Sequence, residues 1–312
     1  LPRDERDRDA VKALIASIVK EEGATLLGWR DVPTDNSLVG DSARATLLWQ
    51  GEDTRLKLTA IRQSVDSDNN AMVSLEPGSH SPIGDLAHRL WVDEPFTKDI
   101  DFYAATFDWS LGWADFTSAT GYTDTTTRQR TDTTVQYGEV ANLLLGLPAA
   151  GSSFFDVDLE MTKFTQEFRL TSRPGTFEWM LGAFYTHEEG THEQHVGLLQ
   201  LDGSALPAPF DAIAGTLATL ALPTEYTEKA VFANGSYRFT ERFKLGAGVR
   251  HAQNDQQFSQ DVTAGILLPL GESPNHSSEE VFTWSVSPQF QLSEDTMVYA
   301  TMPDRRSEDT TM

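Results

Sequence analysis

The chain has 312 residues, of which 39% are hydrophobic and 23% charged, a balance that excludes both a plainly disordered polypeptide and a helical membrane protein. Its 47 acidic and 24 basic residues give a formal net charge of -23, which argues against nucleic acid or anionic headgroups as the main partner. Cysteine is absent, so disulfides, thiolate metal sites and cysteine nucleophiles are excluded.

Leu1 to Asp9 are highly charged and lack the apolar stretch of a secretory signal. Val11, Leu14, Ile15, Ile18 and Val19 then recur at helical spacing, and Gly23 stands where a C-terminal cap belongs. This spacing predicts one short amphipathic helix over Asp9–Glu22. No run reaches the roughly eighteen apolar residues that a spanning helix requires.

After about Thr54 the period becomes two. Phe164, Phe168 and Leu170 face Thr165, Glu167, Arg169 and Thr171. Phe243, Leu245, Ala247 and Val249 face Lys244, Gly246, Gly248 and Arg250. Phe282, Trp284, Val286, Pro288, Phe290 and Leu292 alternate with Thr283, Ser285, Ser287, Gln289 and Gln291. One face of each segment suits hydrocarbon and the other suits water. Met180, Phe184 and Phe232 break the parity of their segments.

The connections alternate in length. Gly112–Trp113, Pro174–Gly175, Thr240 to Arg242 and Ser293 to Asp295 are tight. Ser67–Lys98, Asp124–Val157, Gly190–Thr224 and Asn254–Glu279 read as long polar loops. Tight turns at one rim and long excursions at the other are the habit of outer-membrane barrels. Strands of about nine to fifteen residues exceed the usual five or six of globular sheets. Tyr122, Tyr185, Tyr237 and Tyr299 fall near strand ends, where an interfacial girdle would place them.

Few residues suggest chemistry. His187, His192 and His195, interleaved with Glu188, Glu189 and Glu193, form the one dense set of metal-ligand types. Strand geometry puts His187 and His195 on one face and His192 on the other, and a solvated external loop is the simpler reading. Phe210 to Leu222 (FDAIAGTLATLAL) is the one apolar stretch inside an expected loop. Phe210, Leu217 and Leu220 are therefore candidates for contact with cargo, against local packing within the loop. No G-x-S-x-G, Ser-x-x-Lys, P-loop or dinucleotide fingerprint is present. No catalytic residue and no cofactor are expected.

FTQEFRLTS, FEWMLGAFYTHEE, FANGSYRFTERFKLGAGVRH and VSPQFQLSEDTMVYA, in this order, resemble the C-terminal barrel of TonB-dependent outer-membrane receptors. DFYAATFDWSLGWADFTSATGY resembles earlier strands of the same family. The resemblance implies outer-membrane lipid around the barrel and a bulky cargo, most often a ferric siderophore. It also implies energy delivered by a TonB complex acting on a plug domain. No plug, TonB box or closing aromatic strand is recognisable. A plugged barrel has about 22 strands, against about nine or ten long ones here, so the expected fold is an all-β, antiparallel, up-and-down transmembrane β-barrel fragment, open at its edges.

LPRDERDRDAVKALIASIVKEEGATLLGWRDVPTDNSLVGDSARA resembles part of the class II glutamine amidotransferase domain of the glutamate synthase large subunit. That family attacks glutamine with an N-terminal cysteine, so no catalytic residue carries over. The expected organisation is residues 1–45 as helix and coil of this second kind, 46–302 as partial barrel, and 303–312 as tail. It implies a chimeric join near Ala45–Leu48 and a polypeptide that does not itself transport. An amidotransferase fragment, a soluble β-sandwich and a complete small barrel are the rival readings.

Overall fold

The computed structural model describes residues 25–26, 30–33, 38–69, 73, 75, 78–82, 90–138, 151–200 and 203–303. The expected helix over Asp9–Glu22 and the tail beyond Pro303 lie outside the described residues.

One antiparallel sheet contains every described strand. Two short strands, β1 (Thr25–Leu26) and β2 (Arg30–Pro33), pair with the edge of β3 (Leu38–Gln50). β4 (Thr54–Ser67), β5 (Phe96–Ser110), β6 (Ala114–Asp132), β7 (Ser152–Ser172) and β8 (Phe177–Leu199) follow in order. β9 (Thr216–Arg238), β10 (Phe243–Gly265) and β11 (Gly271–Ser293) complete nine long strands. β12 (Thr296–Tyr299) and β13 (Met302–Pro303) both pair with β11 in one register, Gln289 with Tyr299 and Ser285 with Pro303, and so form an interrupted tenth strand. From β3 to β11 each strand pairs with its sequence neighbours. β3 does not meet the tenth strand, and the sheet is open among the described residues. Among the described residues, helix is confined to α1 (Thr134–Tyr137) and α2 (Phe210–Ala214).

The register sorts side chains onto two faces, because directly paired residues point the same way and alternate residues point oppositely. Ala45, Leu47 and Trp49 share a face with Leu58, Tyr103, Phe107, Trp109, Phe116 and Tyr122. Phe164, Phe168, Leu181, Val231, Val249, Trp284 and Phe290 continue it across the later strands. The opposite face carries Lys57, Asp108, Thr117, Arg169, Asn234, Lys244, Arg250 and Ser285. Many of the apolar side chains are open to the surroundings, Tyr103 at 52%, Phe177 at 56% and Val231 at 58%. A water-soluble protein of this composition would cover them.

The same register gives the tilt. Following hydrogen-bonded pairs across the sheet, each short turn lies about two residues beyond the line drawn from the previous one. With ~3.3 Å per residue and ~4.8 Å between strands, a step of about one residue per strand inclines the strands by roughly 35°. The apolar band runs over about ten residues of each strand, or ~27 Å along the axis normal to the rim, close to the hydrocarbon band of barrel proteins. Arg62–Asp101, Arg128–Asp158 and Arg130–Asp156 sit on the apolar side of the sheet only beyond that band.

Two expectations need correction. The first long strand begins at Leu38, not after Thr54, and β3 runs straight through Ala45–Leu48. The stretches expected as loops at Asp124–Val157, Gly190–Thr224 and Asn254–Glu279 are each entered by strand from both ends. β6 reaches Asp132, β8 reaches Leu199, β9 starts at Thr216, and only residues 266–270 separate β10 from β11. Beyond the band both faces meet water, so alternation disappears while the backbone ladder continues. The long excursions nevertheless all leave from one rim, opposite the turns at 51–53, 111–113, 173–176 and 239–242.

One of the parity breaks, Phe232, has a packing reason. Phe232 lies on the polar face opposite Gly182, and a Cβ at Gly182 would stand 2.1 Å from its ring. Phe154 fills the space above Gly197 in the same way, at 2.5 Å. Each glycine thus makes room for a cross-strand aromatic ring. Gly182→Ala is expected to displace Phe232 and cost about 1–3 kcal/mol, read from urea unfolding followed by tryptophan fluorescence; an unchanged midpoint would show that the ring does not need the gap.

Candidate functional site

Two regions of the sheet hold ordered polar groups. The first is the polar face of β7 to β11. Arg250 pairs with Glu228, which also accepts a hydrogen bond from the Tyr226 hydroxyl at 3.1 Å. The Arg250 guanidinium lies 5.7 Å from the ring centre of Phe184 and 5.9 Å from that of Phe232. Lower on the same face Lys244 reaches Glu178 at 2.6 Å, and Arg169 reaches Glu167 at 2.8 Å. This wall is wet, charged and internally neutralised.

The second region is the outer end of β4 to β9, beyond the apolar band. Arg130 holds Asp156 through two hydrogen bonds of 2.6 and 2.7 Å and stacks over Phe154 at 4.6 Å. The hydrogen bond to Asp156 outweighs burial and raises the Arg130 guanidinium above its ordinary value. Asp132, at the end of β6, accepts the backbone N–H groups of Trp91 (2.6 Å), Val92 (3.2 Å) and Thr134 (2.9 Å). Its own N–H donates to the buried Glu94 carboxylate at 2.8 Å, while the Glu94 N–H donates to Asn69 at 3.0 Å. Both ends of the excursion after β4 are thereby tied to the root of the next hairpin.

Beside this knot lies a small apolar core. Leu198, Leu206, Ala214 and Leu217 are buried, with Tyr137, Val196 and Phe210 packed against them. Ala218, Leu220 and Val262 form its neighbour. The stretch expected as an apolar loop is therefore α2 followed by the first half of β9. Leu217 is fully covered and Leu220 nearly so, while Phe210 is partly buried. As placed, they pack the outer end of the sheet.

The three candidate histidines, His187, His192 and His195, all sit on β8. His187 meets Thr227 at 2.9 Å and Glu189 at 3.1 Å. His192 points to the other face, next to Gln194 at 3.4 Å. His195 packs edge-on against Phe154, its ring centre 5.3 Å away. They do not converge, and among the described residues no three His, Asp or Glu side chains form a metal-binding group. The Asp132 and Arg130 networks are not legible in the sequence because, Thr134 apart, their hydrogen-bond partners lie 26 to 41 residues away, with no local spacing to mark them.

The family model described as TonB dependent receptor-like, beta-barrel matches residues 29–301. The chain belongs to that family. Among solved structures, this receptor barrel resembles the ferric yersiniabactin uptake receptor FyuA of Yersinia pestis, at 12% identity and TM-score 0.64, covering 88% of this chain and 40% of that one. It also resembles the ferric-catecholate import receptor Fiu of E. coli K12, at 14% identity and TM-score 0.59, over 88% of this chain and 48% of that one. The siderophore receptor PiuA of Acinetobacter baumannii gives 12% identity and TM-score 0.61, over 87% and 43%. These likenesses show the fold, and the chain spans less than half the length of each. A second model, glutamine amidotransferases class-II, matches residues 1–56. Ferredoxin-dependent glutamate synthase 2 of Arabidopsis thaliana is 49% identical over 47 residues, 15% of this chain and 3% of that protein. The two models overlap over residues 29–56, the stretch that contains β3.

The outer-end knot titrates. Burial pushes the Asp132 carboxyl up, but hydrogen bonds from the Thr134 hydroxyl and from three backbone amides outweigh it and hold the group below its ordinary value. A depressed folded value means that its contribution is complete above the ordinary carboxylate range and fades as pH falls below about 4. The amides of Trp91, Val92 and Thr134 should lose hydrogen-exchange protection in that range, after correction for intrinsic rates. Asp132→Asn should weaken the protection at neutral pH by about 1–3 kcal/mol and remove its pH dependence; protection that survives both changes would mean that the carboxylate is not what holds this segment.

Proposed function

We propose that residues from about 46 to 302 form part of the wall of an outer-membrane receptor that imports a ferric-siderophore-like cargo with energy from a TonB complex. One observation carries this reading. A single face of the sheet bears an apolar band of bilayer height, the other face is polar, and every long excursion leaves from the same rim. In lipid only a closed barrel satisfies all strand N–H and C=O groups. The edge of β11 from Gly271 to Trp284 is exposed and unpaired among the described strands, so the arc alone would not conduct cargo. Transport belongs to a closed receptor of which it supplies a portion. The cargo class is inferred from the receptors that share the fold.

We further propose that the first 45 residues derive from an amidotransferase sequence and that the join lies near Ala45–Leu48. Without a cysteine, the segment has no nucleophile of the kind its relatives use, and no glutaminase activity is expected. Sequencing the genomic DNA across the join tests its origin.

Because the chain has no cysteine, single cysteines can report its orientation. Leu268→Cys, between β10 and β11, should react with a membrane-impermeant maleimide on intact cells. Trp113→Cys, in a short turn, should react only after the outer membrane is opened. Recovery of the chain in the soluble fraction, or equal labelling at both sites, would remove the membrane reading. Uptake of radioactive iron as ferric siderophore, by cells carrying a closed receptor built with this segment, tests the cargo.

A further inference from the structure

We propose that the pocket between β8 and β11 on the polar face binds a neutral polyhydroxylated ring, a sugar unit. The pocket measures about 490 Å³, within the usual range of small-ligand clefts. Phe184 and Phe232 form its apolar sides, Asn234, Thr283 and Ser285 its polar rim, and Arg250 lies across it.

The charge balance selects the ligand class. Arg250 is matched by Glu228, and the bordering Glu167 by Arg169 at 2.8 Å. With both cations already paired, the pocket has no surplus charge for an anion or a cation. What remains is a mixed set: unused guanidinium N–H donors, the Asn234 amide, two hydroxyls and carboxylate oxygens. A hydroxyl both donates and accepts, so a ring bearing several satisfies such a set, whereas an apolar ligand would leave it dry and unpaired. The C–H surface of the same ring suits the phenyl sides.

The pocket is also set before any ligand arrives. Two glycines leave room for its side chains, Gly248 in the lining itself and Gly182 across from Phe232 on the neighbouring strand. A Cβ at Gly182 would strike the Phe232 ring, and one at Gly248 would stand 2.3 Å from the Asn234 side-chain oxygen. Phe232 and Asn234 therefore occupy positions that their neighbours leave open. Arg250 is clamped by Glu228, itself held by Tyr226. Preorganised groups on rigid strands bind with less ordering cost.

The inference rests on the transport reading only for how a ligand reaches this face; binding itself depends on the pocket. The test is calorimetric titration of the folded full chain in amine-oxide micelles, since sugar-headed detergents would compete. Maltose is the probe, with sodium benzoate and sodium sulfate as comparisons. Saturable maltose binding on the order of millimolar is expected, with no saturable signal from either salt. Asn234→Ala, which leaves the ion pair in place, should weaken it about tenfold. Phe232→Leu should weaken it as well, and tryptophan fluorescence verifies that each variant is folded. No maltose signal from folded protein, equal affinity in Asn234→Ala, or preference for either salt would overturn the proposal. Maltose binding by a chain that the cysteine labels place outside the membrane would sink the transport reading and leave this one standing.

Discussion

The structure depends on an unbroken antiparallel backbone ladder whose register keeps one parity of side chains apolar from β3 to β11. Antiparallel pairing ties each residue to a fixed partner, so a slip of one residue on any strand would carry its whole apolar set to the polar side. The pairs Leu58–Ala105, Phe116–Leu170, Leu181–Ala233 and Val249–Trp284 show the constraint obeyed from strand to strand. The stagger between successive turns follows from the same register, and with it the slope that a barrel wall needs.

Above the apolar band the ladder continues under different rules. Water on both sides removes the need for alternation, and ion pairs such as Arg128–Asp158 and Arg130–Asp156 stand across neighbouring strands on the side that is apolar below. Exposed pairs of this kind contribute little each. Order at the outer end comes instead from Asp132 and Glu94, which gather backbone amides, and from the buried leucines around Leu198 and Leu217. The excursions are thus anchored at their roots.

Much of this was legible in the sequence where one face meets lipid. Phe243 to Val249 and Phe282 to Leu292 announce their strands, their faces and their turns, and all of these stand in the structure. The extent of the strands was not legible, because segments such as Gln253–Gln257 are polar at every second position and at the next. The beginning of β3 was hidden for a related reason. Backbone hydrogen bonds do not read side chains, and the small or polar residues of Val39–Ala45 suit a ladder as well as a loop. The histidines of β8 looked like a cluster in one dimension and are separated by the pleat in three. Met180, Phe184 and Phe232 looked like errors of pattern, although for Phe232 a glycine on the next strand supplies the explanation.

The central claim is that the two faces of these strands meet different solvents. Spin labels placed one at a time from Phe243 to Asp261 on β10 test it, by comparing collision with dissolved oxygen and with a water-soluble nickel complex in vesicles. Oxygen-rich, nickel-poor positions are expected at 243, 245, 247 and 249, the reverse at 244, 246, 248 and 250, and nickel access at both parities from 253 onward. Uniform nickel access from 243 to 250, or a period other than two, would contradict it.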